Sequence, residues 1–133
     1  MEQTRMQKIM DRVTIRRPRL IRCTASLIPS SEGRSVHELR TDRTMAIVAR
    51  EGDLLTLRGT VKAFFEPSGL MEIVVEVEGR AKVPVDIPDR EVEELKNHIG
   101  VSILADASLT VGFLTKAMGF PVILPPPVET RQA

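Results

Sequence analysis

Two stretches of strict alternation meet across a proline–glycine turn between residues 54 and 83, and they leave the chain little choice of fold. Leu55, Leu57, Val61, Ala63 and Phe65 alternate with Thr56, Arg58, Thr60 and Lys62, the two-residue period of a strand with one buried face. Met71, Ile73, Val75 and Val77 alternate with Glu72, Glu76 and Glu78 in the same way. Between them lies Pro67-Ser68-Gly69. Proline suits the first central position of a type I turn and glycine the left-handed position after it. A three-residue hairpin loop closed by a bulge is therefore predicted. It sets Phe65 opposite Met71, Ala63 opposite Ile73 and Val61 opposite Val75. A loop of two or four residues would oppose apolar to polar side chains. In the favoured register Arg58 faces Glu78, and Lys62 lies diagonal to Glu72 and Glu76. Such pairs contribute roughly 0.2–1 kcal/mol each. Much of the charge run is thus a solvated, self-paired sheet face.

The elements around this hairpin are read from the same periodicities. Met6, Met10 and Val13 suit a short amphipathic helix, or residues 1–12 form a frayed arm. Ile21, Cys23, Ala25 and Leu27 alternate with polar residues, as in a half-buried strand. Pro18 cannot donate to a ladder, so it marks an edge or bulge where that strand begins. Pro29 to Gly33 is a loop, and a weaker strand runs through Met45, Ile47 and Ala49 to Glu51-Gly52-Asp53. After residue 84 the period changes. Pro88 with Asp89 and Glu91 starts a helix, Val92, Leu95 and Ile99 form its inward stripe, and Gly100 ends or kinks it. A second helix covers 102–118. Leu104, Ala107, Val111, Leu114 and Met118 form one stripe, while Ile103, Leu109 and Phe113 make other faces apolar. A helix apolar almost all round must be buried on more than one side. One four-stranded sheet cannot supply two sides, so the excess predicts an oligomer interface or a place for an apolar ligand. Phe120 to Val128 is a proline-rich extended strap with the same need for cover. Residues 129–133 are read as a tail.

At 133 residues the chain is a single domain with a core that needs no staples. Cys23 is alone, so no internal disulfide can form. Residues 1–50 carry 11 basic and 5 acidic side chains, and residues 51–133 carry 8 and 13. This asymmetry fits two halves that pack together, or a polyanion-binding arm. No apolar run follows the basic start, which argues against a signal peptide. Asp106 and Lys116 leave only nine uncharged residues between them, against the ~20 a membrane span needs. A soluble, cytoplasmic protein without membrane insertion is expected.

The chemistry of sites is sparse. Cys23, His37 and His98 carry no nucleophile signature and lack metal-ligand spacing. Glu91, Glu93 and Glu94 complement a helix start, and no glycine-rich phosphate loop occurs. No catalytic residue, metal or cofactor is expected, and an enzyme is improbable. A nucleic-acid module would rest on Arg16, Arg17, Arg19 and Arg22, with Arg12 and Lys8 beside them. Four phenylalanines, no Trp and no Tyr leave few rings to stack on bases. A solvated edge strand guarded by charge is the stronger reading of those arginines.

The element order, four antiparallel strands followed by a broken helix and a phenylalanine–proline strap, resembles the SecB-type protein-export chaperones. Phe120-Pro121, the apolar stretch after it and Pro127-Val128 match that family's pattern, and the helix from Ile103 to Met118 and the hairpin 54–78 match in position. The Pro-Tyr-Ala-Arg run usual in the family's long helix is replaced by Ala105-Asp106-Ala107-Ser108. The chain is nearly neutral where motor-binding members are acidic. These departures weigh against handover to the translocation motor. The resemblance implies an α+β fold, a four-stranded antiparallel sheet with a long broken helix on one face. It implies a nucleotide-independent chaperone for unfolded or preprotein polypeptide, assembled as a dimer of dimers. Ile103, Leu104, Val111, Phe113, Phe120, Val122 and Leu124 are the expected client-binding or interface residues. Nucleic-acid binding and a pocket for a small apolar ligand are the alternatives.

Overall fold

Helix α1 (Gln3–Met10) leads into strands β1 (Thr14–Ile15), β2 (Arg19–Ile28), β3 (Glu38–Glu51), β4 (Leu54–Glu66) and β5 (Leu70–Lys82), and helix α2 (Asp89–Ala117) follows. The computed structural model describes residues 3–28, 38–66 and 70–126. All strand pairings are antiparallel, in the order β1-β5-β4-β3, and β2 also pairs with β5. The fold class is the α+β arrangement expected. The expected four-stranded sheet has its edge strand in two pieces, β1 and β2, because Pro18 interrupts pairing at the edge. Between the pieces the Arg16 N–H still donates to the Arg80 carbonyl at 2.8 Å.

The β4–β5 register is the one that alternation demands. Val61 faces Val75, Ala63 faces Ile73, and Arg58 faces Glu78 at 3.6 Å. The Pro67-Ser68-Gly69 loop itself lies outside the described residues. Strands β3 and β4 join at Gly52-Asp53, and β3 begins earlier than its weak pattern indicates, at Glu38. Leu55, Leu57, Val61, Ala63, Met71, Ile73, Val75 and Ala81 are fully buried on one sheet face. Helix α2 lies across β3, β4 and β5 on that face, burying Val92, Leu95, Ile99, Ile103, Leu104, Ala107 and Val111.

The break expected at Gly100 does not occur, and α2 runs continuously for 29 residues. Gly100 is buried beneath Met45 of β3: a Cβ there would sit 2.6 Å from the Met45 Cε. The glycine lets the helix approach the sheet, despite an intrinsic helix cost of about 1 kcal/mol relative to alanine. Helix α2 is long and apolar enough to cross a bilayer by composition, and half of its most apolar window is buried inside the fold. That is how the core helix of a sheet-and-helix domain reads.

The N-terminal arm is a helix, docked by its own chemistry. Ile9 is buried, and Met6, Met10 and Val13 pack against the core. Arg5 pairs with the largely buried Glu91 of α2. Arg12 grips Asp86 through both guanidinium nitrogens, at 3.2 and 2.9 Å, and this hydrogen bonding holds the Asp86 carboxyl below its ordinary range.

Strand β2 departs from its half-buried reading. Cys23, Ala25 and Leu27 pair with Val75, Ile73 and Met71, so they lie on the core side of the sheet, as their alternation requires. Yet residues 19–27 are all exposed, because α2 covers the three strands from β3 to β5. The apolar face of the edge strand is real, and its cover is not supplied by the described part of this chain.

Candidate polypeptide-binding surface

The end of α2 is built to turn the chain back on itself. The Phe120 N–H donates to the Thr115 carbonyl at 2.9 Å and the Gly119 N–H to the Lys116 carbonyl at 3.1 Å. This is the crossed pair of a Schellman cap. Gly119 has φ +87°, a left-handed conformation in which a Cβ is strained. The strap from Phe120 to Pro126 therefore returns along the helix. Gly112 marks the contact: a Cβ there would lie 2.6 Å from Leu124 Cδ2 and 3.4 Å from Val122 Cγ1. Thr115, fully buried, fixes the strap with one hydroxyl. Its Oγ1 donates to the Gly112 carbonyl at 3.0 Å and accepts from the Ile123 N–H at 3.1 Å. Phe120 leans on Phe65 of β4, with ring centroids 6.2 Å apart.

This geometry divides the residues that the sequence singles out. Ile103, Leu104 and Val111 are buried in the core against the sheet. Phe120 is half-buried. Phe113 on the helix is 75% exposed, and Val122 and Leu124 on the strap are 55% and 58% exposed. The contacts of Gly112 with the strap bring these three into one neighbourhood. Two further members, Val101 and Leu109, were not chosen from the sequence. Both are exposed; Leu109 stands one turn before Phe113 on the outward side of the helix, and Val101 lies eight residues before Leu109. Their signal was the apolar character of the helix on every side, which names no particular face. The open face of β2, with Leu20 and Leu27 also exposed, forms a second uncovered apolar surface.

Two of the four arginines singled out from the sequence, Arg19 and Arg22, are paired across the sheet. Arg19 reaches Glu78 at 3.4 Å and Arg22 reaches Glu76 at 3.1 Å across the β2–β5 ladder. Among the described residues no group of three or more His, Cys, Asp or Glu could hold a metal ion. Cys23 is exposed on the edge strand, not tucked into the core as its alternating position had indicated.

No protein-family model and no curated protein sequence matches the chain. Among solved structures, it is similar to the Mycobacterium tuberculosis Rv1957 SecB-like chaperone, solved in complex with a ChAD peptide from the Rv1956 HigA1 antitoxin. The TM-score is 0.67 at 14% identity, over 97% of this chain and 99% of that one. A protein of unknown function from Streptococcus agalactiae is similar at a TM-score of 0.53 and 9% identity, over 85% of this chain and 95% of that one. At these identities the likeness concerns the path of the backbone, and the path agrees over nearly the whole of both chains in the first case. The sheet, the long helix and the returning strap together give this chain the SecB-like chaperone fold.

Proposed function

We propose that this chain is a nucleotide-independent chaperone that holds unfolded polypeptide against the surface formed by the outward stripe of α2 and its strap. The observation that carries this reading is the exposed set Leu109, Phe113, Val122 and Leu124. Contiguous exposed apolar area on a small domain marks an interaction surface. The similar mycobacterial structure holds a peptide, which supports polypeptide as the ligand class. The role is binding without catalysis, in a soluble cytoplasmic protein. Self-association as a dimer of dimers belongs to the same proposal, and the second uncovered surface on β2 supports it. Two surfaces allow assembly through one and client capture through the other. The clients are export precursors or other unstable proteins.

The test is the aggregation of a chemically unfolded reporter enzyme diluted into buffer without nucleotide. The wild-type chain is expected to suppress light scattering near stoichiometric ratio. A Leu109→Asp/Phe113→Asp double variant should need several-fold more protein for the same effect, with its far-UV spectrum unchanged. A wild-type chain that leaves scattering untouched, or a variant that protects equally well, overturns the reading.

A further inference from the structure

The face of the sheet opposite α2 carries a cleft of about 240 Å³, lined by Arg16, Arg17, Arg19, Arg80 and Glu78. It lies where β1 gives way to β2, and the proline break creates it. The backbone bond from Arg16 to Arg80 holds the two sides together at that point. Four guanidiniums against one carboxylate leave three positive charges at the lining. Glu78 is already shared among Arg19 at 3.4 Å, Arg58 at 3.6 Å and Arg80 at 4.0 Å. Three donors converging on one acceptor at these lengths are under-used, since charge-assisted N–H···O bonds close to about 2.7–2.9 Å.

From this geometry we infer that the cleft binds a compact phosphate polyanion, a short phosphoanhydride chain of the pyrophosphate or tripolyphosphate kind. Several lines select that class. Planar guanidiniums match phosphate oxygens in bidentate fashion. Four guanidiniums gathered around one small cleft give a concentration of charge suited to a few linked phosphoryl groups. No aromatic ring lines the cleft, so it offers nothing for a nucleobase to stack on. The site is on the opposite face of the sheet from the proposed polypeptide surface, and it stands or falls independently of that proposal.

Calorimetric titration of the full chain with sodium tripolyphosphate at low ionic strength tests it. Saturable binding at one site per chain is expected, weakening steeply with added salt. Arg17→Ala and Arg80→Ala should each weaken it about tenfold, the loss of one charged hydrogen bond. Arg90→Ala, an exposed arginine at the start of α2, should change nothing. Glu78→Gln removes the only negative charge from the lining and should tighten binding, which damage to the fold would not do. Absence of saturable binding, equal losses in all three arginine variants, or weaker binding by Glu78→Gln overturns the inference. ATP distinguishes the source: affinity equal to that for tripolyphosphate assigns the site to the phosphate tail of a nucleotide, and weaker affinity assigns it to a free phosphate chain. A duplex oligonucleotide that binds more tightly than either, through Arg17 and Arg80, would make the cleft part of a nucleic-acid track and also overturn the proposal.

Discussion

Thr115 shows how much one hydroxyl can organise at the end of α2. Its Oγ1 holds the helix backbone on one side and the strap N–H on the other, at a fully buried position. Thr115→Val keeps the shape and leaves the half-buried Ile123 amide without that acceptor, at a cost of roughly 1–3 kcal/mol. Chemical denaturation should register that loss, and hydrogen exchange should place the local opening at residues 120–126. An unchanged denaturation midpoint would mean that the strap is held by its apolar contacts alone. At this scale the sequence was readable where two independent patterns agreed. Val61, Ala63 and Arg58 find their partners because both faces of the hairpin require the same register. Ile103 and Leu109 could not be told apart, since both sit on a helix that is apolar all round. Which one meets the sheet depends on helix rotation, fixed by close contacts such as Gly100 beneath Met45.

Among the elements, a helix at α1 was one of two readings that the sequence left open, beside a frayed arm, and its docking was not legible at all. The Arg5–Glu91 and Arg12–Asp86 pairs join segments far apart in sequence, and no local pattern reports such a meeting. The Arg12–Asp86 pair makes the dock sensitive to acid. The Asp86 carboxyl is lowered in the folded state by its bond to Arg12. Its contribution is therefore present above the unfolded carboxylate value of about 3.9 and lost as pH falls through the folded one. Arg12→Ala should lower the melting temperature at neutral pH, and the gap from wild type should close as pH is taken below about 4. Thermal melts of both chains across that range provide the check, and a gap independent of pH would assign the effect to packing. The unbroken α2 makes a related point. Glycine in a helical pattern is a stop signal or a close-approach signal, and the residue it approaches, Met45, belongs to another element.

For the whole molecule, the sheet class and the element order were legible from alternation, punctuation and the change of period at residue 84. The cover of β2 was not. An alternating strand announces that one face will be buried, without saying by what. Here Leu20 and Leu27 remain exposed on a chain whose own helix stops short of them. Leu27 is 63% exposed, so replacing it leaves the described core of a single chain intact. Leu27→Asp should therefore lower the mass measured by light scattering coupled to size exclusion, from that of an assembly toward that of a smaller species. A wild-type chain already monomeric, or a variant of unchanged mass, would place the cover of β2 elsewhere.

The Schellman turn at Gly119 has a kinetic consequence. Apart from Phe120 against Phe65 of β4, the contacts it creates at Gly112 and Thr115 join residues close in the chain, so residues 121–126 can leave the helix and return without reopening the long-range pairings of the sheet. Closing so short a loop takes on the order of tens of nanoseconds, far quicker than global unfolding. Access to the apolar ground beneath residues 121–126 is therefore governed by the local contacts at Thr115 and Gly112, while Phe120 stays tied to the sheet through Phe65.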